Sequence, residues 1–138
     1  MANGKTEDEL AQLQYLHEIY VQQYGGIINE LERYSMLRES LSRSSETAEK
    51  VKSIENSPIL LGIDAGAFIE VKAGAISSII TSVGAGYMVE KSVEDAMAFI
   101  KANADKSREV VASLVKEKEK VEREIVNIEY RIGELQQR

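Results

Sequence analysis

Residues 82–100 read SVGAGYMVEKSVEDAMAFI, and the stretch changes character at its middle. Up to Val89 it is glycine-broken, β-branched and uncharged, which suits a short strand and its turn. From Ser92 onward it becomes a charged pattern with apolar residues three and four apart, which suits a helix. Ser92 is followed three residues later by Asp95. This acidic relative of the capping box places carboxylates at the positive end of a helix dipole. The spacing therefore predicts a strand that ends, and a long helix that begins, at Ser92.

The helical pattern continues to the last residue. Its first heptad set is Met97, Ala104, Val111, Lys118, Ile125 and Ile132, and its second is Val93, Ile100, Ser107, Leu114, Val121, Ile128 and Leu135; eleven of these thirteen are apolar. A second seam precedes the strands. It runs through Leu10, His17, Tyr24, Leu31, Arg38 and Ser45 at one heptad position, and Leu13, Tyr20, Ile27, Tyr34, Leu41 and Ala48 at the other. Nine of those twelve are apolar, where the 43% hydrophobic composition gives about five by chance. Pro58, the only proline, disfavours helix at the residue before it, so the first helix is predicted over 7–55.

Between the helices, PILLGI, AFIEVKA, SIITSV and YMVEK read as four strands, with turns at Asp64–Gly66, Gly74–Ala75 and Gly84–Gly86. Residues 58–91 thus form two β-hairpins. Such hairpins are marginal alone and leave open edges, so these apolar strands call for partners on other subunits. If the helices fold back on each other, residues whose numbers sum to 145 face each other and every layer is matched. Leu10 meets Leu135, Leu13 meets Ile132, Leu31 meets Leu114 and Ala48 meets Met97, while Arg38 falls opposite Ser107. The expected fold is α+β and mostly α: one domain, 1–138, made of a long antiparallel coiled-coil hairpin with two β-hairpins at the bend.

Composition narrows the function. The net charge of −6 lacks the positive footprint that nucleic-acid binding needs. The absence of cysteine removes thiolate metal sites and disulfides, which is compatible with a reducing compartment. The opening MANGKTEDELAQ has no apolar core of a secretory signal. Residues 73–89 are uncharged, but their glycines, hydroxyls and β-branched residues read as strands and not as a membrane span. Catalysis finds little footing: His17, the only histidine, sits on a helix seam, and Gly84-Ala-Gly86 lacks both the third small residue of a dinucleotide loop and the Gly-Lys-Ser/Thr of a phosphate loop. No set of acidic residues has metal-ligand spacing, and no cofactor is expected. Off the seams, Tyr15 and Ile19 form one apolar pair, and Val126 and Tyr130 another, each four residues apart.

In wording as well as plan, the middle of the chain resembles the prefoldin α-class subunits, through LLGIDAGAFIEVK (60–72) and SVGAGYMVEKSVEDAMAFI (82–100). One departure is Leu60, where that family often has proline. The resemblance implies a cytoplasmic, non-enzymatic chaperone subunit of archaeal type, one of two α-type chains with four β-type chains in an α2β4 hexamer. Hairpins of all six subunits would close an intersubunit β-barrel through strand residues Ile59, Leu61, Phe68, Ile69, Val71, Ile79, Ile80, Val83, Tyr87 and Val89. Unfolded client proteins would be held without ATP at the helix ends, by Leu10, Leu13, Tyr15, Leu16, Ile19, Val126, Tyr130, Ile132 and Leu135, and delivered to a group II chaperonin. A different reading of the same strands is a structural coiled-coil protein that self-associates into a homomeric particle or filament.

Overall fold

The computed structural model describes residues 2–137. Helix α1 spans Ala2–Lys50 and passes into a 3-10 turn, Val51–Ile54; strands β1 (Pro58–Asp64), β2 (Ala67–Lys72), β3 (Ser78–Gly84) and β4 (Tyr87–Ser92) follow, and helix α2 spans Val93–Gln136. Contacts divide the chain into two compact units, Met1–Met36 with Ser107–Arg138, and Leu37–Lys106. Each holds part of both helices.

In the first unit the heptad pattern becomes a packed seam. Leu13, Ile27, Val121 and Ile128 are buried, and Leu10, Tyr20, Leu31, Leu114, Ile125, Ile132 and Leu135 are half-buried. Two bonds across the pair report its register. The Tyr24 hydroxyl donates to Glu122 Oε1 at 3.0 Å, and His17 Nε2 lies 3.0 Å from Glu129 Oε1. Both pairs fall within one residue of the alignment predicted from the seams. Arg131 also donates to Glu9, at 3.2 Å. His17 is thus a seam residue whose ring reaches a neighbouring carboxylate.

The second unit buries small side chains, Ala48, Val93, Ala96 and Ala104, together with Thr81. Here Lys52 Nζ stands 3.4 Å from Glu94 Oε1, again one residue from the predicted alignment. The helix start behaves as its sequence suggests: the Asp95 N–H donates to Ser92 Oγ at 3.1 Å. The Glu94 carboxyl is held below the ordinary carboxylate value by its own backbone N–H and by Lys52.

The limits of α1 differ from the predicted 7–55. It starts five residues earlier, because Gly4 is only a weak interruption in an otherwise helix-compatible segment. It ends five residues earlier, because the last turn tightens to 3-10 geometry, where the Ser53 hydroxyl takes up the Lys50 carbonyl at 2.6 Å. Asn56, at φ 59°, then turns the chain into β1, and Asn is one of the few residues that accepts this conformation readily.

The four strands form two separate antiparallel hairpins, β1 with β2 and β3 with β4. Their registers are the same at an offset of 20 residues. Pro58 pairs with Lys72 as Ser78 pairs with Ser92, and both ladders shift register just before the turn. Ala65 and Gly66 have positive φ (47° and 79°), as do Ala85 and Gly86 (52° and 79°). Two such residues in succession make the primed turn that matches strand twist.

Candidate functional site: an assembly surface and an apolar girdle

Cross-strand partners in an antiparallel ladder share a face. In the first hairpin, Ile59 pairs with Val71 and Leu61 with Ile69, giving one face that is apolar throughout. The opposite face carries Leu60 beside Glu70 and Gly62 beside Phe68. The Phe68 ring lies over Gly62, 3.8 Å from where a Cβ would stand, an arrangement that shields a strand glycine. Phe68 nevertheless remains 63% exposed, and Leu61 and Ile69 are also exposed. Ile59 and Val71 are half-buried.

The second hairpin pairs Ile79 with Lys91, Thr81 with Val89 and Ile80 with Glu90. Ile79 is half-buried and Thr81 buried, its hydroxyl 3.3 Å from the Val89 carbonyl, so this hairpin is covered where the first is open. Ile80, Val83, Tyr87 and Val89 are exposed. Sequence reasoning passed over Leu60, Ile63 and Met88, all exposed. Leu60 stands across from Glu70 and Met88 across from Ser82, and Ile63 falls at the register shift between Gly62 and Asp64.

The residues predicted at the helix ends all lie in the first unit and separate into two groups. Tyr15, Leu16, Ile19, Val126 and Tyr130 are exposed, Tyr15 and Tyr130 by about two thirds (66% and 67%). Leu10, Ile132 and Leu135 are half-buried, and Leu13 is buried at 4%. Leu13 therefore holds the helices together and presents no surface to a client in this conformation. In the seam's register Tyr15 stands level with Tyr130, and Ile19 with Val126. The two apolar pairs form a girdle at one level, each facing away from the opposing helix. Next to it is an open depression of about 380 Å³ lined by Tyr24, Glu122, Ile125 and Val126. A second, of about 370 Å³, is lined by Glu119, Glu122, Arg123, Val126 and Asn127. Tyr24 and Ile125 were predicted only as seam residues, and nothing in the heptad pattern marks them as groove walls.

Electrostatics around the girdle is acidic. Glu122 accepts the Tyr24 hydrogen bond and lies 3.6 Å from Lys118 Nζ. That bond, with help from the nearby negative charge, holds the Tyr24 phenol above its ordinary pKa. Among the described residues no cluster of His, Cys, Asp and Glu is arranged to hold a metal ion, and no helix is long and apolar enough to cross a membrane.

Two helices paired antiparallel, separated in sequence by two β-hairpins with open apolar faces, define a class of coiled-coil hairpin with strand elements set between its helices. The family model for prefoldin subunits matches residues 20–138, and the chain belongs to that family. The chain is 28% identical to prefoldin subunit alpha of Pyrococcus horikoshii, over 96% of this chain and 86% of the relative. To prefoldin subunit alpha of Methanococcus aeolicus it is 32% identical, over 83% of this chain and 80% of the relative. Among solved structures it resembles a chain of the filamentous PFD from Methanocaldococcus jannaschii, with a TM-score of 0.67 and 21% identity, covering 83% of this chain and 96% of that one. At that identity the likeness speaks for the fold alone.

Proposed function

We propose that this chain is a non-enzymatic, ATP-independent chaperone subunit, a single prefoldin-like domain that captures non-native polypeptides on the first unit and assembles through its hairpins. The observation that carries the reading is the girdle of Tyr15, Ile19, Val126 and Tyr130, which the helix seam does not need and leaves in solvent. Several weak apolar patches on separate subunits hold a flexible chain by avidity, without a deep pocket. The open hairpin faces supply the means of bringing such subunits together. Membership of the prefoldin family supports β-type subunits as partners in an α2β4 hexamer in the cytoplasm, with handover of clients to a group II chaperonin.

The test is aggregation of a denatured enzyme diluted into the assembled complex. The complex with intact α-type chains should suppress aggregation. A complex carrying Tyr15→Ser, Ile19→Ser, Val126→Ser and Tyr130→Ser should assemble equally well and suppress it less. Equal suppression by both would remove the girdle from client binding. A second reading is a homomeric filament built through the same strands; the Methanocaldococcus jannaschii PFD that shares the fold is itself filamentous. Growth of the pure chain into long particles would favour it.

A further inference from the structure

We infer that the girdle selects basic clients: its occupant is an extended segment of non-native polypeptide in which lysine or arginine alternates with aliphatic or aromatic residues. This rests on the chaperone reading above and specifies which polypeptides that surface takes. Residues 5–26 and 119–138 contain nine carboxylates against five basic side chains, giving −4 of the chain's −6 in under a third of its length.

Those charges lie against the apolar residues. On a helix, side chains three and four positions apart are neighbours. Tyr15 has Glu18 at that spacing, Val126 has Glu122 and Glu129, and Tyr130 has Glu134, whereas the basic neighbour at the same spacing is Arg123, beside Val126. Among the described residues Glu18, Glu119 and Glu134 form no ion pair, so their charge is not spent there. Glu119 also lines the depression whose apolar wall is Val126. An apolar strip bordered by unspent carboxylates matches a segment that offers apolar side chains with cations between them. Such a segment buries its alkyl stems on the tyrosine rings while its charges meet the rim. A segment with the same apolar residues and carboxylates between them would bring like charges together.

The experiment compares two unfolded peptides of about 20 residues with identical Leu, Ile and Tyr positions, one with lysine and the other with glutamate at the intervening sites. Binding to the full chain is measured by fluorescence anisotropy. In about 10 mM salt, where charges interact over about 30 Å, the lysine peptide should bind about tenfold more tightly. The ratio should fall towards unity in about 1 M salt, where that reach is about 3 Å. It should also fall in the full chain carrying Glu18→Gln, Glu119→Gln and Glu134→Gln. Equal affinities, a preference for glutamate, or a ratio that the triple variant leaves unchanged would overturn the inference while leaving the chaperone reading in place. Failure of both peptides to bind would overturn the two together.

Discussion

Leu13 and Tyr15 are two residues apart, and the structure buries the first and leaves the second in solvent. Leu13→Ala removes three carbons from a side chain that is 4% exposed. At about 0.8 kcal/mol for each buried methylene-sized group, the transfer loss is about 2.4 kcal/mol. A seam of two helices can close partly over the gap, so the total should sit near the lower end of the range for core leucines, about 2–3 kcal/mol. Tyr15→Ala removes a larger side chain that is 66% exposed, and should change stability by about 0.5 kcal/mol or less. Hydrogen–deuterium exchange resolves this locally. In Leu13→Ala the amides of the first unit should exchange about 30- to 140-fold faster, following tenfold per 1.4 kcal/mol. In Tyr15→Ala the same amides should hardly change, while client binding weakens. Strong loss of protection in Tyr15→Ala, or none in Leu13→Ala, would refute the division of these residues between fold and function.

Other perturbations test separate parts of the structure. Gly25→Ala with Gly26→Ala should raise helix stability by about 1 kcal/mol per site, because a Cβ at either position meets nothing within 4 Å; slower exchange of the surrounding α1 amides is the readout. Ala65→Asn should steady the first hairpin by up to about 1 kcal/mol, since Asn accepts the left-handed conformation that Ala65 adopts at a cost; the check is exchange at the β1–β2 amides. Ser92→Ala should cost about 1 kcal/mol by leaving the Asp95 N–H without its cap, seen as fraying of the first turn of α2 by NMR. The pH dependence has two signs. Tyr24 has a raised folded pKa, so its contribution is complete below the unfolded value of about 10 and is lost as pH rises through the folded one. Tyr24→Phe should therefore delete a late step from the tyrosinate absorbance titration. Glu94 has a lowered folded pKa, so its contribution is present above the unfolded value of about 4.5 and disappears as pH falls through the folded one. A carboxyl-carbon NMR titration should show Glu94 protonating below the ordinary glutamate value.

Much of the fold is written in short-range patterns. The heptad seams name the buried residues because a 3.5-residue repeat leaves one face to pack, and Leu13, Ile27, Val121 and Ile128 follow it. The Ser92 cap and the glycine turns were legible because they depend on local backbone geometry. The common register of the two hairpins was not. The segments 58–72 and 78–92 share only Ile59/Ile79, Ala65/Ala85, Gly66/Gly86 and Glu70/Glu90 at equivalent positions, so the repeat lies in hydrogen bonding more than in side chains. Burial of Thr81 was equally hidden, since its hydroxyl is satisfied by the Val89 carbonyl, a partner on the neighbouring strand. At the helix ends, position on the seam separates Leu13 from Tyr15, but a listing of apolar residues near the termini does not.

The open hairpin faces make the most exposed claim: Leu60, Leu61, Ile63, Phe68 and Ile80 stand in solvent unless other chains cover them. Native mass spectrometry of the chain, alone and co-expressed with a β-type prefoldin subunit, measures this directly. The pure chain should self-associate, and the mixture should give a discrete species of two α-type and four β-type chains. A folded monomer that persists on its own and ignores the partner would contradict it.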